Sequence, residues 1–134
     1  MEAHARAVLD YVRQLRERGA PGDPEIATLA AILHDVGIPQ ALRLYGSAGP
    51  PGQEVEGAVI ANDLLARLGC PRKQIDLITA IIAMHHHRPV HPSAEFQLVY
   101  DADQLVNAQE QGQPLAEISE RLYTPQARAI ASQS

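Results

Sequence analysis

The sequence predicts an all-α fold, and three observations carry that expectation. Apolar residues recur at helical spacing along nearly all of the 134 residues. Gly and Pro punctuate the pattern where helices would stop and start. With no Trp and only 4% aromatic residues, the core must rest on Leu, Ile, Val and Ala, which suits packed helices. No alternation of strand length is convincing, and no repeat or linker divides the chain. A chain of this length is expected to form one domain, residues 1–134, and to bury a core without staples.

About five main helices are expected, followed by short ones. In the first, His4, Val8, Tyr11, Val12 and Leu15 share a face, and Gly19 to Gly22 ends it. Asp23 reads as an N-cap with Pro24 at the first helical position. Ile26, Leu29, Ala30 and Leu33 then form a stripe that Gly37 and Pro39 stop. Gly46 to Gly52 has no core residue and reads as a mobile loop. The third helix runs from about Gln53 to Leu68 and ends at Gly69. After Pro71 a fourth carries Ile75, Ile78, Ile81 and Ile82 down to His85-His86-His87, and Pro89 and Pro92 end it. A fifth begins near Ser93 with Phe96, Val99, Tyr100, Asp103 and Val106, and short helices follow Pro114 and the Thr124-Pro125 cap.

Composition narrows the function. The net charge is -5, and Arg13, Arg16 and Arg18 are interleaved with Glu17, so no basic patch points to nucleic acid. No apolar run approaches the roughly 20 residues of a membrane span. The N-terminus, with Glu2, His4, Arg6 and Asp10, has no apolar signal region. Cys70 is the one cysteine, so no internal disulfide forms. Cytoplasmic location is the expectation.

Chemistry concentrates in His34-Asp35-Val36-Gly37, at the end of the apolar run Ile26 to Leu33. Neighbours on a helix differ by about 100° in direction, but at a fraying terminus both side chains can reach one ion. An imidazole and a carboxylate suit Mn, Fe, Co, Ni or Zn. The pair also fits a capping Asp beside a half-buried His. His4 and Asp103 both lie on core stripes, and a buried carboxylate needs a partner or a metal. Asp101, in line with Leu98 and Leu105, is an alternative to Asp103. The three consecutive histidines close an apolar helix, where a favourable interaction with the helix dipole would also explain them.

The ordered set formed by His4, His34-Asp35, His85-His86 and Asp101-Ala102-Asp103 resembles the HD superfamily of metal-dependent phosphohydrolases. The similarity runs from His4 to about Leu105 and is carried by LAAILHDVG (Leu29 to Gly37), EGAVIANDLLARLG (Glu56 to Gly69), IIAMHH (Ile81 to His86) and VYDADQLVN (Val99 to Asn107). The resemblance implies a helical bundle with one divalent ion (Mn, Fe, Co, Ni, Zn or Mg) held by His4, His34, Asp35 and Asp103. In relatives with two metals, a His early in the third helix and the double His serve the second. Here Gln53 stands at that position, with Glu54 or Glu56 as substitutes. No Lys or Arg is evident beside the His-Asp pair.

The reaction this implies is hydrolysis of a nucleotide or another small phosphate ester by a metal-activated water. Asp35 would orient or deprotonate the water. His85 and His86, at the rim, would bind phosphate or protonate the leaving oxygen. Arg88 and Gln53 are candidate substrate contacts. Two other readings compete: a ligand-binding or regulatory module that has lost hydrolysis, and an iron-dependent oxygenase, against which Gln53 counts.

Overall fold

The computed structural model describes residues 2–47, 49 and 52–133. Among them are seven α-helices, one 3-10 helix and no strand. The helices are α1 (Glu2–Glu17), α2 (Pro24–Leu33), α3 (Ile38–Tyr45), α4 (Gly52–Arg67), α5 (Arg72–Met84), α6 (Ala94–Glu110) and α7 (Pro125–Ser132), with the 3-10 turn Leu115–Arg121 before α7. The all-α expectation holds. Of the loop expected over Gly46 to Gly52, Ala48, Pro50 and Pro51 lie outside the described residues.

The helix starts follow local chemistry. Asp23 Oδ1 accepts from the amides of Glu25 and Ile26, at 2.9 and 3.2 Å. Ser93 Oγ accepts from Phe96 N, and Thr124 Oγ1 accepts from Ala127 N, each at 3.1 Å. Such caps are typically worth about 1 kcal/mol. The sequence did not announce α3. Gly37 and Pro39 do end α2, but Pro39 also sits in the first turn of α3, where its missing N–H costs nothing. Gly46, at φ 71°, closes α3 in the left-handed conformation that glycine adopts freely.

The core is aliphatic. Leu15, Ile75, Ile78, Ile82, Leu98, Leu105, Ile118 and Leu122 are almost wholly buried, each worth about 1.5–3 kcal/mol relative to exposure. Helix α1 packs on α2 and α6, α2 also meets α5 and α6, and α4 lies along α5. The central helix α6 buries Phe96, Leu98, Val99, Tyr100, Ala102, Leu105 and Val106, and with them Asp101 and Asp103. No described helix is long and apolar enough to cross a membrane.

Candidate metal centre

Five helices bring their polar positions to one place. His4 comes from the first turn of α1, Asp103 from the middle of α6, and Gln53 and Glu54 from the first turn of α4. His34 is the C-cap of α2 and His85 the C-cap of α5. Asp35 follows in the turn 34–37, which joins α2 to α3 through Val36 N to Leu33 O at 3.0 Å and Ile38 N to Asp35 O at 3.1 Å. Leaving the helix at His34 is what lets two adjacent side chains reach the same spot.

The imidazoles are aimed by main-chain carbonyls. His34 Nδ1 donates to Ala31 O, and His85 Nδ1 donates to Ile82 O, both at 2.6 Å. His4 Nδ1 donates to Glu110, at 3.0 and 3.1 Å from its two oxygens. With each Nδ1 engaged as a donor, Nε2 is the atom left to exchange a proton for a metal.

These Nε2 atoms converge with carboxylate oxygens. His4 Nε2 lies 2.9 Å from Asp103 Oδ1, 3.2 Å from His34 Nε2 and 3.4 Å from Asp35 Oδ2. His34 Nε2 is 3.3 Å from both Asp35 Oδ2 and Asp103 Oδ1. Donors about 2.1 Å from a common cation, at tetrahedral or octahedral angles, stand roughly 3.0–3.4 Å apart. His4, His34 and Asp35 thus form a group able to hold a cation, and Asp103 Oδ1 lies against both of its imidazoles. His85 supplies a second sign. Its Nε2 is buried without a hydrogen-bond partner, because the 3.3 Å contact to Asp35 Oδ1 lacks hydrogen-bond geometry. A bare nitrogen facing a carboxylate oxygen suits a cation or a proton between them.

Charge within the cluster agrees. Burial pushes His34 down, but its bonds to Asp103 and Asp35 outweigh this and lift it to about 10. The bond to Asp103 also raises His4, against burial and with help from Glu110. Burial pushes Asp35 and Asp103 up, yet the histidines hold both carboxyls well below the usual range, His34 and His85 for Asp35 and His34 and His4 for Asp103. Two ionised carboxylates thus face a spot that holds positive charge.

A second face of the site belongs to α4. Gln53 is fully buried. Its Nε2 donates to His34 O at 3.1 Å and to Asp35 Oδ1 at 3.3 Å, and its Oε1 accepts from His86 Nε2 at 2.7 Å. Glu54, 2% exposed, accepts from His86 N and His87 Nε2, each at 3.0 Å. Both its oxygens serve the histidine run. Glu56 binds the Tyr45 hydroxyl at 2.9 Å, on the surface. The approach of α4 depends on Gly37: a Cβ there would overlap the Gln53 carbonyl and the Gly57 amide. The glycine of His-Asp-Val-Gly is therefore a contact point, with an ordinary helical φ of -81°.

Some expected residues behave differently. Asp101 is not interchangeable with Asp103. It is fully buried and turned to the C-terminal segment, where it accepts from Tyr123 N, Thr124 N and Thr124 Oγ1, all at 2.8 Å. Burial raises its pKa despite those donors. His85 does not lie at the rim: it is 1% exposed, while His86 is exposed. Burial, then the nearby His85, lowers the pKa of His86. Arg88 donates through Nε to Arg121 O at 2.9 Å and stacks 4.6 Å over the Tyr123 ring. Among the described residues, no Lys or Arg pairs with the carboxylates of the cluster. Glu110 was not foreseen. Seven residues after Asp103, it shares that face of α6, and this spacing was its only signal.

Comparison with known proteins shows the family and the fold. The sequence matches the HD domain family over residues 1–108, and the chain belongs to that family. A solved structure with the same fold is a predicted HD superfamily hydrolase from an uncultured Thermotogales bacterium. It is 23% identical, with a TM-score of 0.74 over 98% of this chain and 71% of that one. A search of curated proteins finds no match.

Proposed function

We propose that this protein is a metal-dependent phosphohydrolase acting on a small phosphate ester, nucleotides included. The observation that carries the reading is that His4 Nε2 and His34 Nε2 each lie 2.9–3.4 Å from one another and from both Asp35 Oδ2 and Asp103 Oδ1. These four residues would hold one divalent ion of the Mn, Fe, Co, Ni, Zn or Mg group. Residues 1–134 act as one domain in this reading. The cytoplasm is its proposed compartment, since a lone Cys70 offers no disulfide.

A divalent ion in this donor set supplies Lewis acidity that makes water nucleophilic near neutral pH and spreads the phosphoryl charge. The chain's own groups do the rest. Asp35 offers Oδ2 to the donor set, while Oδ1 faces Gln53 Nε2 and His85 Nε2, each at 3.3 Å. It is therefore the carboxylate suited to orienting the attacking water and receiving its proton. His86, exposed beside the buried cluster, is suited to exchanging a proton with the leaving oxygen, help typically worth 10²–10⁴-fold. His85 lines the inner wall with its bare Nε2. Gln53 has both ends of its amide engaged by the protein, so we assign it to holding these groups and not to substrate. The terminal nitrogens of Arg88 are assigned to an anionic part of the substrate.

Elemental analysis of protein purified without added metal, with a phosphate-ester panel assayed with and without chelator, tests the proposal. His34→Ala and Asp35→Ala should abolish turnover and metal binding while helix content stays, because both residues lie in a turn outside the packed helices. Full activity in Asp35→Ala would overturn its role. The lack of a described Lys or Arg partner at the cluster favours a second reading, a module that binds ligand without hydrolysing it. Metal and nucleotide binding with no turnover across the panel would select it.

A further inference from the structure

We infer that Gln53 is a positioning residue that fixes His86 as its Nε2–H tautomer and leaves Nδ1 as the ring's free proton acceptor. The argument begins with the direction of the Gln53 amide. Its Nε2 faces His34 O at 3.1 Å and Asp35 Oδ1 at 3.3 Å. A carbonyl oxygen and an ionised carboxylate only accept, so both require the NH₂ end. Turning the amide over would set oxygen against oxygen twice in a fully buried place. Oε1 must therefore face His86 Nε2, 2.7 Å away, and that nitrogen must carry the hydrogen. In a neutral ring the other nitrogen, Nδ1, is then bare.

This reverses the arrangement at the two neighbouring imidazoles. His34 and His85 use Nδ1–H on main-chain carbonyls and keep Nε2 for the cluster. His86 uses Nε2–H on Gln53 and keeps Nδ1. Its main chain is held as well, by Glu54 Oε2 on His86 N at 3.0 Å. Gln53 and Glu54, consecutive on α4, thus fix both the ring and the backbone of one exposed histidine.

The consequence for chemistry rests on the hydrolytic reading above. A ring whose Nδ1 is bare takes a proton there from solvent, gives it to the leaving oxygen as the bond from that oxygen to phosphorus breaks, and regains its starting form, while the attacking water's proton goes to Asp35. Because the same Gln53 amide touches Asp35, the carboxylate and the proton-exchanging ring are set by one side chain.

The test reads the tautomer directly. The full chain is labelled with ¹⁵N, and two-bond ¹H–¹⁵N correlations of its imidazoles are recorded, as purified and again with diamagnetic Zn²⁺. His86→Gln identifies the His86 signals. In the wild type His86 should show the Nε2–H pattern in both states, while His85 shows Nδ1–H and His34 shows it once Zn²⁺ has taken its Nε2 proton. In Gln53→Met, His86 should relax to a mixture of tautomers, with His34 and His85 unchanged as the control for folding. A mixed or Nδ1–H pattern for wild-type His86, displacement of its Nδ1 signal by Zn²⁺, or an unaltered pattern in Gln53→Met would overturn the inference. The wild-type spectrum decides the tautomer even if Gln53→Met does not fold. Where a phosphate ester is turned over, Gln53→Met should lower kcat by about 10²-fold with KM little changed, and an unchanged kcat would overturn the positioning role. Where nothing is turned over, the hydrolytic reading fails, and the tautomer assignment is judged on the spectra alone.

Discussion

Gly37 and Gly57 touch backbone to backbone, and their contact decides how near α4 comes to the His-Asp turn. A Cβ on Gly37 would overlap Gly57 N and the Gln53 carbonyl, and a Cβ on Gly57 would stand 3.4 Å from Gly37 N. Neither glycine is needed for a left-handed turn, since positive φ occurs only elsewhere. Their smallness lets Gln53 reach Asp35.

Gly37→Ala should therefore push α4 outward. A clash between two backbones cannot be relieved by a rotamer, so the cost should reach about 1–3 kcal/mol or more. Metal affinity should fall about 10–100-fold, as when a ligand loses its outer support. Urea unfolding and metal titration check both. Wild-type stability in Gly37→Ala would mean that the helices are free to separate there.

Asp101 and Asp103 should part in experiment. Asp103→Ala should abolish tight metal binding with helix content retained. Asp101→Ala leaves three donors, one on half-buried Tyr123 and two on buried Thr124, without an acceptor, which should cost about 3 kcal/mol or more. It should leave metal binding intact. Metal analysis after desalting, beside thermal unfolding, reads both. The opposite pattern would exchange their roles.

The stability of the metal-free protein should depend on pH on both sides. Asp35 and Asp103 sit below their ordinary value of 3.8, so their contribution is present above that value and fades as pH falls through the acid range. His34 is raised from 6.5 to about 10, so its contribution is complete below 6.5 and is lost as pH rises towards 10. Stability without metal should thus peak between about 4 and 6.5 and decline on the alkaline side. A bound ion takes the place of the imidazole protons, and its affinity grows as they leave. Loading with metal should flatten the alkaline decline. Denaturant midpoints from pH 4 to pH 10, with and without metal, measure this, and identical alkaline limbs would contradict it.

Gln53 should also limit the metal count. Asp35, His85 and His86 form a second group able to hold an ion, and the neutral amide of Gln53 bonds two of them, Asp35 and His86. Two imidazoles and a shared carboxylate should bind weakly beside the first centre. The wild type should retain one ion after desalting, and Gln53→His should move the count towards two in excess Mn or Fe. Two tightly held ions in the wild type would show that the amide does not block the group.

Much of this was legible because it is local. The stripes of α1, α2, α5 and α6 and the caps at Asp23, Ser93 and Thr124 follow from residues within a few positions of one another. Helix α3 was not legible, because Pro39 is the same residue whether it ends one helix or begins the next. The gathering of His4, His34, Asp35 and Asp103 came from a resemblance, since spacing alone cannot bring three distant segments together. Asp101 was ambiguous because its partners, Tyr123 and Thr124, lie more than 20 residues away on the C-terminal segment. The burial of Glu54 had no local signal at all: its partners sit over 30 residues along the chain.

The way His34 and His85 are aimed has a further consequence. Each is the residue at which its helix ends, and each leans on a carbonyl three positions back that every amino acid supplies. No side chain at residue 31 or 82 takes part in the aiming. Substitutions there can alter packing without turning either ring, whereas shifting a helix end by one residue would swing the ring away however well the core tolerates the change. What protects these two imidazoles from sequence drift is thus the punctuation of the chain, where α2 and α5 stop, more than the identity of any neighbour.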